Sequence, residues 1–245
     1  MRRILAASFA LALATAAPAS AQIIFHSAGA DVTGRGVWSF DVGGQMAQPI
    51  GEFRSNVNRA WGAGAAVRYH FGRLRVLGIR GDFGMLNYGN ERKRVPLSTT
   101  LNRVIVEQNT SNNIALVTVG PELALQHGPV RPYVYGFGGW SHFYTESSAN
   151  DDDSNYSFAS SVNFSDGGGT AGWGGGLRIP FRARSTHVSL DAGARFTRNW
   201  TRSYLRPGDV TDLADGSLSF NERRTNADFW QFHLGASFTP RRFGR

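Results

Sequence analysis

Large apolar residues recur at every second position over residues 230–238, where Trp230, Phe232, Leu234, Ala236 and Phe238 share one face of an extended chain and Gln231, His233, Gly235 and Ser237 share the other. A face that bulky has to be buried in protein or in lipid. The same period-two pattern returns upstream at residues 38–46, 60–71, 74–87, 113–126, 132–144, 170–181 and 187–200, which predicts eight strands. Residues 60–71 set their register most firmly. Trp61, Ala63, Ala65, Val67, Tyr69 and Phe71 lie opposite Gly62, Gly64, Ala66, Arg68 and His70, so a slip of one residue would move Arg68 to the apolar side. In residues 113–126, Pro121 interrupts the hydrogen-bond ladder and predicts a bulge. Residues 132–144 carry aromatic side chains on both faces, Tyr133, Tyr135, Phe137 and Phe143 against Trp140, His142 and Tyr144, and alternation leaves their sides open.

The connections alternate between long and short. Residues 47–59, 88–112, 145–169 and 201–226 read as long polar loops, the second with room for a strand extension at 104–106. Residues 72–73, 127–131 and 182–186 read as short turns. Period two does not by itself say whether the apolar face points inward, as in a soluble barrel, or outward into a bilayer. The polar face decides: it combines glycine with Asp41, Arg68, Arg80, Asp82, Glu122, Arg178, Asp191 and Arg195. Charges of both signs among glycines suit a crowded lumen in which side chains pair, and these eight are the candidate lumenal ion pairs. Aromatic residues gather near strand ends (Trp38, Trp61, Phe71, Trp173, Phe181, Trp200, Trp230, Phe238), as at membrane interfaces. The fold class expected is all-β, an eight-stranded antiparallel up-and-down transmembrane barrel whose narrow bore is filled by side chains.

Composition adds export. Arg2 and Arg3 precede an apolar run and Ala19-Ser20-Ala21 supplies a small-x-small cleavage site, so residues 1–21 read as a signal peptide and the mature chain begins at Gln22. Residues 22–36 then form a periplasmic tail, 37–238 the barrel, and 239–245 a short C-terminal tail. Of 245 residues 30 are Gly, well above the usual roughly 7%, and Cys is absent, so a closed hydrogen-bond network must replace disulfides. The formal charge of +8 falls by two when Arg2 and Arg3 leave. Export argues against nucleic acid, and attraction to anionic lipid or lipopolysaccharide phosphate is the physically sensible use of the rest.

On the signal peptide, strand count, loop asymmetry and final strand, residues 37–238 resemble the small eight-stranded outer-membrane barrels of the outer membrane protein A, outer membrane protein X and opacity-protein type. The resemblance implies a bacterial outer-membrane location, extracellular loops, periplasmic termini and a monomer. It also implies that the barrel-assembly machinery reads the last strand, with Trp230, Phe232, Leu234 and Phe238 as its signal. Residues 239–245 depart from the pattern, since family members commonly end at the aromatic.

Candidate chemistry is sparse. Ser141, His142 and Glu146 fall together, but neighbouring strand residues point to opposite faces, so no catalytic relay forms. Asp151, Asp153 and Asn155 match the first ligands of an EF-hand loop, but Tyr156 stands where Gly is needed and Val162 where Glu is needed. No metal, cofactor or catalytic residue is expected. The basic run Arg92-Lys93-Arg94 can pair with that acidic loop or with lipid phosphates. The expected role is structural or surface interaction through the loops, with a lipid A or phospholipid-modifying enzyme and a narrow solute pore as alternatives.

Overall fold

A computed structural model describes residues 36–72, 75–96, 105–151, 157–181, 186–212 and 218–240. The signal peptide, residues 22–35 of the N-terminal tail, Asp153, Asn155, Tyr156 and residues 241–245 lie outside them. Twelve strands follow in chain order: β1 (Val37–Pro49), β2 (Ala60–His70), β3 (Leu77–Pro96), β4 (Ile105–Ala124), β5 (Arg131–Asp151), β6 (Ser157–Phe181), β7 (Thr186–Arg198), β8 (Thr201–Tyr204), β9 (Val210–Asp212), β10 (Leu218–Phe220), β11 (Arg223–Asn226) and β12 (Phe229–Pro240). One helical turn, α1 (Gly51–Asn56), lies between β1 and β2. Strands β1 to β7 and β12 close an antiparallel barrel in which each pairs with its sequence neighbour and β12 returns to β1. Strands β8 with β11 and β9 with β10 form two small ladders inside the last connection.

The side-chain parity follows the alternation. Trp61, Val117 and Leu234 are 58–60% exposed on the outer wall, while Arg68 and Glu122 are 3% and 0% exposed within. On each strand the outward apolar positions run over about nine residues, roughly 30 Å of strand. Tilted by about 40°, that gives a band near the ~25 Å height of a membrane barrel. Trp38 packs on Tyr69 and Tyr69 on Phe71 at the short-turn end, and Trp61, Trp140, Trp173 and Trp230 mark the other border.

Strands β1, β2, β7 and β12 are 11 to 13 residues long, close to what a tilted span needs, but β3 to β6 have 20 to 25. Two of the expected long loops are therefore ladders. β3 and β4 pair out to Pro96 and Ile105, and β5 and β6 to Asn150 and Ser157. Beyond the apolar band the outer face is polar and the buried inward positions Thr110, Asn112 and Thr145 are polar too, so the period-two contrast fades there while the backbone pairing continues. A bulge at Asn87/Gly89 keeps Tyr88 pointing inward as β3 leaves the band.

Other strand limits shift slightly. β3 starts at Leu77 rather than at residue 74, because the turn from β2 carries positive φ at both Gly72 and Arg75, and β12 runs on to Pro240. At Pro121 the β4–β5 ladder lapses between Val119↔Gly138 and Glu122↔Tyr135, but the register resumes unshifted. The missing N–H removes a bond without inserting a residue, so the expected bulge does not form. The open question in β5 is settled by its neighbour: Tyr133, Tyr135 and Phe137 face inward across from Gly176, Gly174 and Gly172 of β6. A Cβ at any of these three glycines would come within 3 Å of the facing ring.

Candidate functional site

The barrel interior divides into a charged middle and an apolar end. Glu122 of β4 is the hub. Its Oε1 accepts Arg178 Nη1 at 2.9 Å and lies 3.1 Å from His70 Nε2, and its Oε2 accepts Arg178 Nη2 at 3.0 Å and Arg80 Nη1 at 3.3 Å. Arg68 Nη1 stands 3.8 Å away, while Nη2 of the same guanidinium donates to Asp41 at 2.6 Å and to Ser237 at 2.5 Å. Arg80 Nε donates to both Asp82 oxygens at 2.8 and 3.1 Å. Arg178 Nε reaches Asp191 at 3.4 Å, and the same carboxylate accepts the Tyr133 hydroxyl at 2.6 Å. That hydroxyl is 2.9 Å from His233 Nε2. Arg178 lies 3.6 Å above the Tyr133 ring and Arg80 4.6 Å above that of Tyr135. These inward side chains alternate along the strands with the exposed apolar ones, so the pleat that makes the outer band also collects the charges.

Seven strand-borne charges named from the sequence, Asp41, Arg68, Arg80, Asp82, Glu122, Arg178 and Asp191, thus join one network. Arg195 is placed differently. Its Nε donates to Gln231 at 2.7 Å, its guanidinium lies over Phe137, and no ion pair to it occurs among the described residues. Gln231 passes the chain of bonds on to Gln45. A cavity of about 30 Å³, room for one or two waters, opens between Asp41, Gln45, Arg80, Asp82, Arg195 and His233. Formal charge as a criterion for pairing misses Gln45, His70, Tyr133, Gln231, His233 and Ser237. The signal available for them in the sequence is their inward parity.

Towards the long-connection end the lumen turns apolar. Ala47, Leu86, Ile114, Leu116, Phe143 and Phe229 of the barrel strands meet Phe53 and Val57 from the first connection and Tyr204 and Ala227 from the last. Phe53 stands edge-on to Tyr204 at 5.0 Å, to Phe143 at 6.1 Å and to Tyr88 at 6.3 Å. Gly51, at φ 57°, turns the chain in, and Val57 N–H closes α1 on Phe53 O, which holds that ring under the mouth. The last connection lies across the same opening. Tyr88 donates to Leu205 O at 2.9 Å, Gly208 N–H to Glu91 at 2.7 Å and Lys93 to Val210 O at 3.0 Å, while Asp209 pairs with Arg206 and Arg223. Burial in this seal pushes the Tyr204 phenol pKa up.

Trp230, Phe232, Leu234 and Phe238 all lie on the outer face of β12, where Trp230 packs against Trp173 and Phe196 at 5.5 and 5.6 Å. Ser141 faces inward, fully buried and donating to Gly168 O, whereas His142 faces outward and stacks on Tyr144. No group of three or more His, Asp or Glu with metal-ligand geometry occurs among the described residues.

The sequence matches the outer membrane protein beta-barrel domain family over residues 7–238. No curated protein matches it significantly. Among solved structures it is similar to Ail, the attachment invasion locus protein of Yersinia pestis, in complex with the heparin analogue sucrose octasulfate, at 15% identity and a TM-score of 0.42, covering 84% of this chain and 99% of that one. It is similar to Neisserial surface protein A at 13% identity and 0.36, covering 84% and 97%. It is also similar to a major outer membrane protein from Thermus thermophilus at 13% identity and 0.40, covering 82% and 99%.

Proposed function

The chain belongs to the outer membrane protein beta-barrel family of the bacterial outer membrane, and from that premise we propose a plugged, non-enzymatic member with a structural or surface-interaction role. The observation that carries this reading is the apolar seal around Phe53 and Tyr204 stacked above the Glu122 network. A solute crossing the bore would have to break ion pairs held at near-zero exposure and then part an aromatic cluster. Neither is a wet path. In steady planar-bilayer recordings the folded barrel is expected to show no conductance steps; a reproducible ohmic conductance would replace this reading with the narrow pore.

In this reading the tall β3–β6 wall and the connections at its end face the outside, and the termini and short turns face the periplasm. Exposed Arg54, Arg92 and Arg94 near that end offer positive charge to lipopolysaccharide phosphates, and the outward aromatic row ending at Phe238 serves as the assembly signal. The natural chain has no Cys, which gives a clean test of direction. Ser219→Cys, exposed in β10, is expected to react with a membrane-impermeant maleimide on intact cells. His127→Cys, in a short turn, should react only after the outer membrane is permeabilised. The opposite pattern would invert the orientation.

A further inference from the structure

Where β7 ends, the chain adopts a conformation that its sequence disfavours. Trp200 has φ 51°, in the left-handed region that bulky residues avoid. Three bonds hold it there: Trp200 O accepts Ala227 N–H at 2.9 Å, Asn199 N–H donates to Asp228 Oδ1 at 2.9 Å, and Asn199 Nδ2 donates to Ala227 O at 2.8 Å. Turning the chain over the barrel mouth accounts for the backbone, and glycine would make that turn more easily. It does not account for an indole, which is 45% exposed and takes no part in the apolar seal.

The surroundings of this ring are specific. On the outer wall β6, β7 and β12 align Trp173 with Phe196 and Phe196 with Trp230, which form one aromatic cluster at the border of the apolar band. Arg198 is the next outward residue on β7; it is exposed, and its guanidinium lies 5.7 Å from the Trp200 ring centre. Thr170 Oγ1 donates to Arg198 O at 3.0 Å and fixes the strand end beneath it. No ion pair engages Arg198 among the described residues, and the Asp228 carboxylate accepts Asn199 N–H through Oδ1. The site therefore stacks an exposed cation and an aromatic shelf at the upper border of the apolar outer wall.

Resting on the membrane reading above, we propose that Arg198 and Trp200, above Trp173, Phe196 and Trp230, form a docking site for the phosphate headgroup of a membrane lipid in the leaflet at the long-connection end. Arg198 supplies a charge-assisted contact to the phosphate, Trp200 orients the guanidinium through its π face, and the three rings below cover the upper acyl chains. The left-handed turn is what brings the indole out to the level of the headgroup.

The test uses the full barrel in phosphatidylcholine nanodiscs containing a minor fraction of phosphatidic acid, with co-purifying lipid counted by native mass spectrometry after transfer to detergent. The wild type is expected to retain phosphatidic acid about fivefold above its bulk ratio, the gain of one cation at an anionic headgroup. Arg198→Gln and Trp200→Gly should each return retention to the bulk ratio. Glycine accepts the positive φ, so Trp200→Gly tests the ring without disturbing the turn. Arg59→Gln, an exposed cation on β2's side of the barrel, should retain the wild-type ratio, and folding of each variant is read from unboiled gel mobility. Wild-type enrichment surviving in either site variant, or lost equally in Arg59→Gln, overturns the proposal. A barrel that inserts but shows no enrichment overturns this site alone, whereas a chain that does not insert overturns the membrane reading with it.

Discussion

Glu122→Gln is expected to destabilise the barrel by at least about 3–5 kcal/mol, the usual cost of removing one partner from a buried ion pair. Three guanidinium groups depend on this carboxylate: Arg178 at 2.9 Å, Arg80 at 3.3 Å and Arg68 at 3.8 Å. Glutamine keeps the size and one acceptor oxygen but leaves those charges with Asp41, Asp82 and Asp191 alone, in a bore whose cavity holds at most a water or two. Asp82→Asn should cost distinctly less, because Arg80 keeps Glu122 at 3.3 Å and Asp41 at 3.8 Å. Arg195→Gln should cost least of the three, since among the described residues no carboxylate lies within ion-pair distance of Arg195, whose guanidinium donates to the neutral Gln231 over the Phe137 ring. Urea unfolding of the lipid-embedded barrel, followed by Trp fluorescence, measures the series. A Glu122→Gln loss under about 1 kcal/mol, or equal losses in all three, would mean that water or relaxation compensates these charges and that the hub description is wrong.

What the sequence discloses follows from where each residue stands relative to lipid. Inside the band the environment changes sides at every residue, so Arg68, Arg80, Glu122 and Arg178 are legible as lumenal against Val67, Ile79, Leu123 and Leu177 outside. Above the band that contrast vanishes, and the long ladders of β3 to β6 read as loops because the buried inward residues Thr110, Asn112 and Thr145 are as polar as the outward residues Ser111, Asn113 and Glu146 beside them. The faces of β5 cannot be read within β5. Its information lies in β6, where Gly172, Gly174 and Gly176 make room for three inward rings, a cross-strand pairing that a single strand does not display. The apolar seal is invisible for another reason. Phe53 sits in a six-residue helical turn too short to show period 3.6, and Tyr204 with Leu205 is a lone apolar pair in a polar stretch, so only three-dimensional contact identifies Phe53 and Tyr204 as one cluster. For the charges, parity supplies the inventory but not the partners. The pairing of Arg195 with an amide rather than a carboxylate depends on strand stagger around the barrel, which no single segment encodes.

Leu234→Arg separates the two environments that alternation alone leaves equivalent. Leu234 is 60% exposed at the middle of the outward row on β12, between Ala192 of β7 and Gly44 of β1, so an arginine there finds no tall neighbour to shelter it. With hydrocarbon outside, the substitution is expected to cost about 2–4 kcal/mol. Phe181→Arg, equally well exposed but at the short-turn end of β6, should cost about 0–1 kcal/mol, because the guanidinium reaches the headgroup region there. The dependence on depth is the diagnostic quantity. Were water outside, both positions would be exposed apolar residues replaced by a well-hydrated one, and both changes would fall within about 0.5 kcal/mol of neutral. Reversible unfolding in phospholipid vesicles reads the difference directly. Equal, near-zero values at the two sites would refute the lipid-facing assignment of the whole outer wall, since every outward residue from Trp38 to Phe238 shares the parity that places Leu234.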